Sequence, residues 1–356
     1  MVASTLRTRT ASLAALLTTP LLPADYLDLV APLRPGTQLR ARIVEVRPES
    51  GDAATVVLRA GRGWSGHRPG QWVRLGVDVD GVRHWRAYSL TSIPNSDRLL
   101  SVTVKAVPGG RVSSSLVRRA RPGSIVQLDQ ASGEFVLPAV RPPRSLFITA
   151  GSGITPVMGI IRHELGTLED VVVLHSAPTP DDVIFGAELR TLADQGRLHL
   201  IERHTRVDGH LTAEHLTDLV PDWWERETWA CGPSGMTCAL EEHWSDHGLV
   251  ERLHVERFQP DVLAASTDGG GTISFERSNV TTEAGPTTPL LDAGEEAGVL
   301  LPSGCRMGIC FSCVTPLVGG AVRDVRTGAV TLADTGRPIP IQTCVSAAAG
   351  NCRLDA

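Results

Sequence analysis

Between residues 37 and 142, apolar and polar positions alternate in short runs: Leu39–Val46, Thr55–Leu58, Gln71–Val77 and Leu99–Val104. The runs carry β-branched residues, and Gly and Pro clusters separate them. Short strands at this density predict an antiparallel barrel. From 143 to 258 the pattern changes. Apolar strand candidates at Ser145–Thr149, Val171–His175, Leu198–Glu202 and Thr228–Ala230 take turns with helical stretches at Val157–Leu165, Ala187–Gln195, Ala213–Leu219 and Met236–His247. Strand and helix in alternation predict a parallel α/β sheet. Residues 259–271, with the string Ala-Ala-Ser-Thr-Asp-Gly-Gly-Gly, read as an interdomain linker. Residues 272–356 hold a strand at Thr272–Glu276, a helix around Pro289–Ala297 and a cysteine-rich loop. Residues 1–36 read as a short helical extension with proline-punctuated loops.

Composition narrows the class. A chain of 356 residues suggests about two to three domains at roughly 100–200 residues each. Hydrophobic content of 42% is ample for buried cores. The net charge of −5 leaves no basic footprint, so nucleic acid is not an expected partner. Of 34 basic residues only Lys105 is a lysine, a skew that points to a G+C-rich genome rather than to a binding surface. No apolar run approaches the roughly 18 residues of a membrane span. The apolar string Leu13–Leu17 is short, and Pro20, Pro23, Asp25 and Asp28 follow it without a small-residue cleavage site. A soluble, cytoplasmic protein is therefore expected, and the odd number of cysteines, seven, suits a reducing compartment.

Four of those cysteines form the most informative pattern. Cys305, Cys310 and Cys313 stand in C-x4-C-x2-C spacing, with Cys344 further on. This is the ligand spacing of a plant-type [2Fe–2S] cluster, in which two bridged irons need four thiolates. Gly304, Gly308 and Ser312 are small enough to let backbone N–H groups reach the sulfurs. A structural zinc site would normally show two short cysteine pairs, and here there is one. A disulfide framework belongs to small secreted domains.

Three further strings carry chemistry. In Arg86-Ala87-Tyr88-Ser89-Leu90, following a strand, the arginine can neutralise a phosphate and the tyrosine can stack on a flat ring. Gly109-Gly110-Arg111-Val112-Ser113-Ser114 places glycines before a helix start, an anion site built from N-terminal N–H groups. Gly151-Ser152-Gly153-Ile154-Thr155-Pro156 comes straight after an apolar strand and opens a helix, the setting of a dinucleotide pyrophosphate. Cys231-Gly232-Pro233-Ser234 follows the last strand of the same sheet. Each string alone is also compatible with an ordinary strand, turn or N-cap. Their order along the chain is far more specific.

That order resembles the ferredoxin–NADP reductase superfamily fused to a plant-type ferredoxin domain, over about residues 37–356. The closest likeness is to actinobacterial NADPH-dependent reductases that serve acyl-CoA desaturases, through Thr19–Pro23, His175–Pro178, Gly304–Cys310 and Gln342–Ser346. The resemblance implies a flavin barrel (37–142), a nucleotide-binding α/β domain (143–258) and an α+β, β-grasp ferredoxin domain (272–356). It implies FAD, NADPH (with NADH as the alternative) and a [2Fe–2S] cluster as cofactors. Arg86 would bind the flavin pyrophosphate. Tyr88 would lie against the ring, with Ser89 near its N5. Lys105 and Gly110, Arg111, Val112 and Ser113 would line the cofactor. Gly151, Gly153, Ile154, Thr155 and Pro156 would hold the dinucleotide. Cys231 and Gly232 would border the nicotinamide, and Phe258 would cover the second flavin face. Ser176, with Arg203 and Arg206, would recognise a 2′-phosphate, although Ala177-Pro178 stands where relatives carry arginine. Cys305, Cys310, Cys313 and Cys344 would ligate the irons.

The function expected is electron transfer from NADPH through FAD and the cluster to a separate acceptor. That acceptor would be a membrane-bound desaturase met at the membrane face, docking on the cysteine loop through Arg306, Asp292, Glu295 and Glu296. The alternatives are the reductase of a ring-hydroxylating oxygenase or P450 system, or a non-enzymatic iron–sulfur redox sensor.

Overall fold

The computed structural model describes residues 31–34, 38–258, 270–333 and 337–356. The expected N-terminal helix and most of the linker lie outside the described residues. Three sheets organise the rest.

The first sheet comprises β1 (Arg40–Ser50), β2 (Ala53–Ala60), β3 (Trp72–Val79), β4 (Val82–Ser89), β5 (Leu99–Lys105) and β6 (Ile125–Leu128), in spatial order β4-β3-β6-β1-β2-β5. All its strand pairs are antiparallel. A bridge between Leu90 and Val102 joins the two edges, so the sheet closes on itself and leaves few strand edges exposed. Alternate residues such as Val73, Leu75, Val56, Leu58, Leu100 and Val102 fill the interior. The Arg86–Ser89 string lies on β4 itself rather than after a strand. Helix α1 (Arg111–Arg118) packs Val112 and Leu116 against this barrel.

The second sheet is parallel, in order β11-β10-β7-β8-β9: β7 (Arg144–Ala150), β8 (Asp170–Ala177), β9 (His199–His204), β10 (Glu227–Cys231) and β11 (Leu253–Glu256). Helices α2 (Ile154–Glu164), α3 (Gly186–Asp194), α4 (Glu214–Leu219) and α5 (Ser234–Asp246) connect its strands. Both faces are covered, which is why its central strands read as continuous apolar runs rather than alternating ones. At its N-terminal edge Arg226 is buried between Asp170 and Asp222, with bidentate bonds to each.

The third sheet is mixed. β12 (Gly271–Phe275) pairs antiparallel with β13 (Val280–Ala284) and parallel with β17 (Ser346–Leu354). β17 pairs antiparallel with β14 (Val314–Asp324), which also holds β15 (Val330–Ala333) and β16 (Ile339–Gln342). Helix α6 (Leu290–Glu296) buries Leu290, Leu291 and Ala293 on this sheet. The α+β domain so formed carries the cysteine loop between α6 and β14.

Candidate active site and cluster loop

Strand β4 presents the first half of the site. Arg86 is half-buried, and burial, then the nearby Arg306 charge, pull its pKa below the ordinary value. One of its N–H groups donates to the Trp85 carbonyl at 2.8 Å. Both Arg86 and Arg111 act on the buried His84 ring, so β4 and the start of α1 converge there. The His84 Nε2 is buried without a partner among the described residues. Two cations, an unpartnered ring nitrogen and a helix N-terminus fit the anionic part of a flavin dinucleotide. Gly110 caps α1 at close quarters: a Cβ there would lie 2.6 Å from Ser113 Oγ, which accepts the Val107 N–H instead of pointing outward. Tyr88 is held neutral by burial, which raises its pKa. Lys105 pairs with Asp52 at 3.5 Å, and its charge acts on the buried His175 of β8. It therefore sits at the seam between the barrel and the nucleotide domain.

The second half comes from the parallel sheet. Gly151 (φ 53°) turns the chain out of β7 so that α2 can begin at Ile154, with Thr155 and Pro156 buried in its first turn. Thr155 Oγ1 donates to the Ser152 carbonyl at 2.9 Å and holds that turn. Gly153 packs against the Cys231 strand end so tightly that a Cβ would fall 2.0 Å from the Cys231 carbonyl oxygen. Gly232 is equally confined, between Met236 and Ala150. The two strings, about 80 residues apart in sequence, thus form one continuous backbone surface at the C-terminal end of the sheet, the place where open α/β sheets bind nucleotides.

Where the two halves meet stands a residue that the sequence patterns do not single out. Glu256 ends β11, beside Cys231 in strand register, and accepts a hydrogen bond from Ser89 Oγ at 3.5 Å. Burial pushes its pKa up to about 8, against the smaller opposing pull of that bond. Cys231 is fully buried, and burial, then the Glu256 charge, raise its thiol well above the ordinary range. Ser89, Cys231 and Glu256 therefore form an uncharged, water-poor junction between barrel and nucleotide domain. The signal available in sequence was a lone carboxylate closing the Leu253–Val255 run. Phe258 lies two residues beyond and is exposed, at 39%.

At the ends of β8 and β9, Ser176 is buried opposite Arg203, and the Arg206 N–H donates to the Pro178 carbonyl at 3.3 Å. This joins the two stretches singled out for a 2′-phosphate. Their arginines differ. Arg203 turns back, donating to the carbonyls of Asp208 and Gly209 and lying 3.3 Å from His215 Nε2. Arg206 is exposed on the single turn Thr205–Asp208. His175 is fully buried on the same strand as Ser176. Thr149 Oγ1 meets its Nδ1 at 2.8 Å, and burial, then the His204 charge, lower its pKa to about 3.

The cluster loop runs from Gly304 to Cys313. The four motif cysteines form no disulfide and fall into two pairs. Cys313 and Cys344 share an S–H···S contact of 3.2 Å, and Cys305 and Cys310 are likewise hydrogen-bonded through their thiols. Backbone N–H groups serve the sulfurs as the glycine pattern predicted: Cys305 N–H donates to Cys310 Sγ at 3.2 Å and Met307 N–H to Cys305 Sγ at 3.3 Å. Among the described residues no set of three or more His, Cys, Asp or Glu groups closes on a single ion. Two cysteine pairs suit two bridged irons, one pair each, better than one zinc tetrahedron. Gly304 leaves no room for a side chain, since a Cβ would lie 2.5 Å from Cys310 Sγ.

One expectation is corrected here. Arg306 is not an exposed docking charge. Its side chain is 17% exposed and bonds Asp292 and Glu295 of α6, tying the loop to its own domain and facing Arg86 of the barrel. The exposed residues of the loop are apolar, Ile309 at 55% and Phe311 at 66%.

Comparison with known proteins agrees with this geometry. Residues 40–137 match the family model of the oxidoreductase FAD-binding domain, 147–242 that of the oxidoreductase NAD-binding domain, and 273–349 that of the 2Fe-2S iron-sulfur cluster binding domain. The chain is 50% identical over 350 residues to the NADPH oxidoreductase of Mycobacterium tuberculosis, covering 96% of this chain and 91% of that one. It is 31% identical over 309 residues to the ferredoxin reductase component of 3-ketosteroid-9-alpha-monooxygenase from Mycolicibacterium smegmatis, covering 80% and 87%. Its fold matches phthalate dioxygenase reductase with a TM-score of 0.61 at 23% identity, over 90% of this chain and 98% of that one. With the flavin strand, the nucleotide turn and the paired cluster cysteines on one chain, the protein belongs to the ferredoxin–NADP reductase superfamily, in the branch that carries a C-terminal plant-type [2Fe–2S] domain.

Proposed function

We propose that this reductase draws its electrons from NADPH and delivers them to a membrane-bound diiron desaturase acting on fatty acyl-CoA. The reductase chemistry itself follows from the three modules. A bound flavin would supply the change from two-electron to one-electron chemistry, between a nicotinamide nucleotide and the iron–sulfur cluster. The chain's own residues set the conditions. Arg86 and the start of α1 supply positive charge for the flavin dinucleotide. The Gly151–Pro156 turn and Gly232 bring backbone up to the nicotinamide dinucleotide. Ser89, Cys231 and Glu256 keep the junction dry and uncharged, and protonated Glu256 can hold a proton beside Ser89. The cysteine pairs Cys305–Cys310 and Cys313–Cys344 would hold the irons of the cluster.

The observation that carries the acceptor proposal is the exposed apolar pair Ile309 and Phe311 on a loop whose charges are satisfied internally. Such a surface suits a small, transient contact driven by apolar burial. The sequence likeness to desaturase reductases supplies the identity of the partner. Preference for NADPH is supported by the exposed Arg206, whose backbone is tied to Pro178 two residues beyond Ser176, and by the name of the Mycobacterium tuberculosis relative. Among the described residues no helix is long and apolar enough to cross a membrane, so the partner would supply the membrane anchor.

A second reading has its own support. Relatives include reductase components of monooxygenases, among them the glycine betaine monooxygenase reductase subunit of Pseudomonas aeruginosa at 30% identity over 318 residues. Co-expression in cells lacking their own reductase separates the two. A rise in unsaturated acyl chains with a desaturase supports the proposal. Unchanged acyl chains, with efficient support of an oxygenase or P450, replace it with the second reading.

A further inference from the structure

Arg74 lies on β3, opposite Ala87 of the flavin strand. It is fixed on the barrel. Its Nε and Nη2 both reach Asp129 Oδ2 at 2.5 Å, and the Asp129 N–H donates to the Arg74 carbonyl at 3.1 Å. The guanidinium also lies over the Trp85 ring, 5.6 Å from its centroid. The remaining arm leaves the domain. Nη1 donates to Ser312 Oγ at 2.7 Å, across 238 residues of sequence. Ser312 stands between the ligand cysteines Cys310 and Cys313 and hydrogen-bonds the Cys310 sulfur through both hydroxyl and backbone. A hydroxyl has one proton to give. With its oxygen accepting from Arg74, that proton is directed at the sulfur. Gly304 completes the contact: a Cβ would meet Nη1 at 2.7 Å as well as the Cys310 sulfur.

We propose that Arg74 is a cross-domain positioning residue that locks the cluster loop onto the flavin barrel and, through Ser312, raises the reduction potential of the cluster. Arginine keeps its charge at any working pH, and its rigid fork can hold Asp129 and Ser312 together. A fixed positive charge close to the cluster favours the reduced, more negative state. A polarised O–H···S bond acts in the same direction, because hydrogen bonds to the sulfurs and local charge both set the potential of such clusters. The flavin domain thereby tunes the centre it must feed. The inference rests on the cluster and not on the identity of the acceptor.

The test uses the full-length holoprotein and an EPR-monitored reductive titration of the cluster. Arg74→Gln is expected to lower the cluster midpoint so that its equilibrium with a one-electron donor shifts by about ten-fold, or ~59 mV. Arg74→Lys recovers part of the loss, since it restores charge without the fork. Ser312→Ala lowers the midpoint in the same direction, and the double variant adds little to either single change, as expected for one chain of interactions. The flavin midpoint stays where it is in all of them. An unchanged cluster midpoint in Arg74→Gln protein that retains flavin and iron overturns the proposal, as do fully additive effects of Arg74→Gln and Ser312→Ala. If Arg74→Gln loses the cluster during preparation, the Ser312→Ala midpoint decides by the same criterion.

Discussion

The Ser89–Cys231–Glu256 junction, the proposed place of hydride transfer, and the cluster loop solve opposite problems within one chain. At the junction, Ser89 and Cys231 are buried, and burial keeps Cys231 and Glu256 in their neutral forms at neutral pH. At the loop, Arg306 (φ 61°) and Phe311 (φ 55°) take left-handed backbone positions at a cost of roughly 1–2 kcal/mol each, and Phe311 and Ile309 face solvent. Hydride transfer needs reacting atoms in contact and water excluded, and packed strand ends such as these suit it. A single electron crosses a short gap without atomic contact, so its site is a thin, strained loop near the surface. One region is ordered by close packing of backbone on backbone, the other by ligation of a cluster.

The sharpest way to separate the two is Cys344→Ser. Loss of one ligand should cost the cluster, with iron falling from roughly two per chain and reduction of a protein acceptor falling to background. NADPH-dependent reduction of ferricyanide, which can draw directly on flavin, should persist. Collapse of flavin reduction in a folded Cys344→Ser protein would mean that the regions are not modular.

Gly153→Ala strikes the other side. Its methyl would sit 2.0 Å from the Cys231 carbonyl oxygen and force the two nucleotide strings apart. A displacement on that scale should lower kcat/KM for NADPH on the order of 100-fold, while iron content stays intact. Near-wild-type kinetics would show that the close approach of these strings is not what positions the nicotinamide.

The three modules and their fold classes were legible in the sequence, and what was not legible has a common cause. The strings that pointed to those modules, the four cysteines, the Gly151–Pro156 turn and the Arg86–Ser89 string, are recognisable by residue type and spacing alone. The pairing of the cysteines by thiol contact was not legible, because Cys344 arrives from the far side of β14–β16. Arg74 was missed because, in Trp72-Val73-Arg74-Leu75, a polar residue alternating with apolar ones reads as solvent-facing. Alternation assigns faces within one sheet; it cannot tell that another domain will cover the polar face. Glu256 was missed for the complementary reason: a strand-end carboxylate looks like a cap to water until the barrel closes over it. Arg306 reversed in the same way, from a surface charge to an internal tie between the loop and α6.

A smaller effect is expected at the phosphate clamp. Arg206→Ala should lower kcat/KM for NADPH by about ten-fold, the scale of one charge-assisted hydrogen bond, and leave NADH little changed. Arg203→Ala should instead loosen the 205–209 loop without altering the nucleotide ratio. An unchanged NADPH/NADH ratio in Arg206→Ala removes the clamp.

The gentlest effect is a slope of stability against pH. Glu256 has a folded pKa of about 8, above its ordinary 4.5, so the native state binds the extra proton and stability falls as pH rises through that window. Glu256→Gln cannot ionise. Its stability relative to wild type should therefore rise between about pH 5 and pH 8, with a slope of at most about 1.4 kcal/mol for each step of one in pH. A difference that does not vary with pH in denaturant titrations would place Glu256 in water rather than in the junction.

The order of events between the two regions is the most direct point of attack. Rapid mixing of anaerobic holoprotein with NADPH, followed by flavin absorbance and by freeze-quench EPR of the cluster, reads that order. The flavin absorbance should fall first and the reduced-cluster signal should follow it; Cys344→Ser should keep the first phase and lose the second. A cluster signal that precedes flavin bleaching, or that forms in protein stripped of flavin, would contradict an electron path from nicotinamide through flavin to cluster.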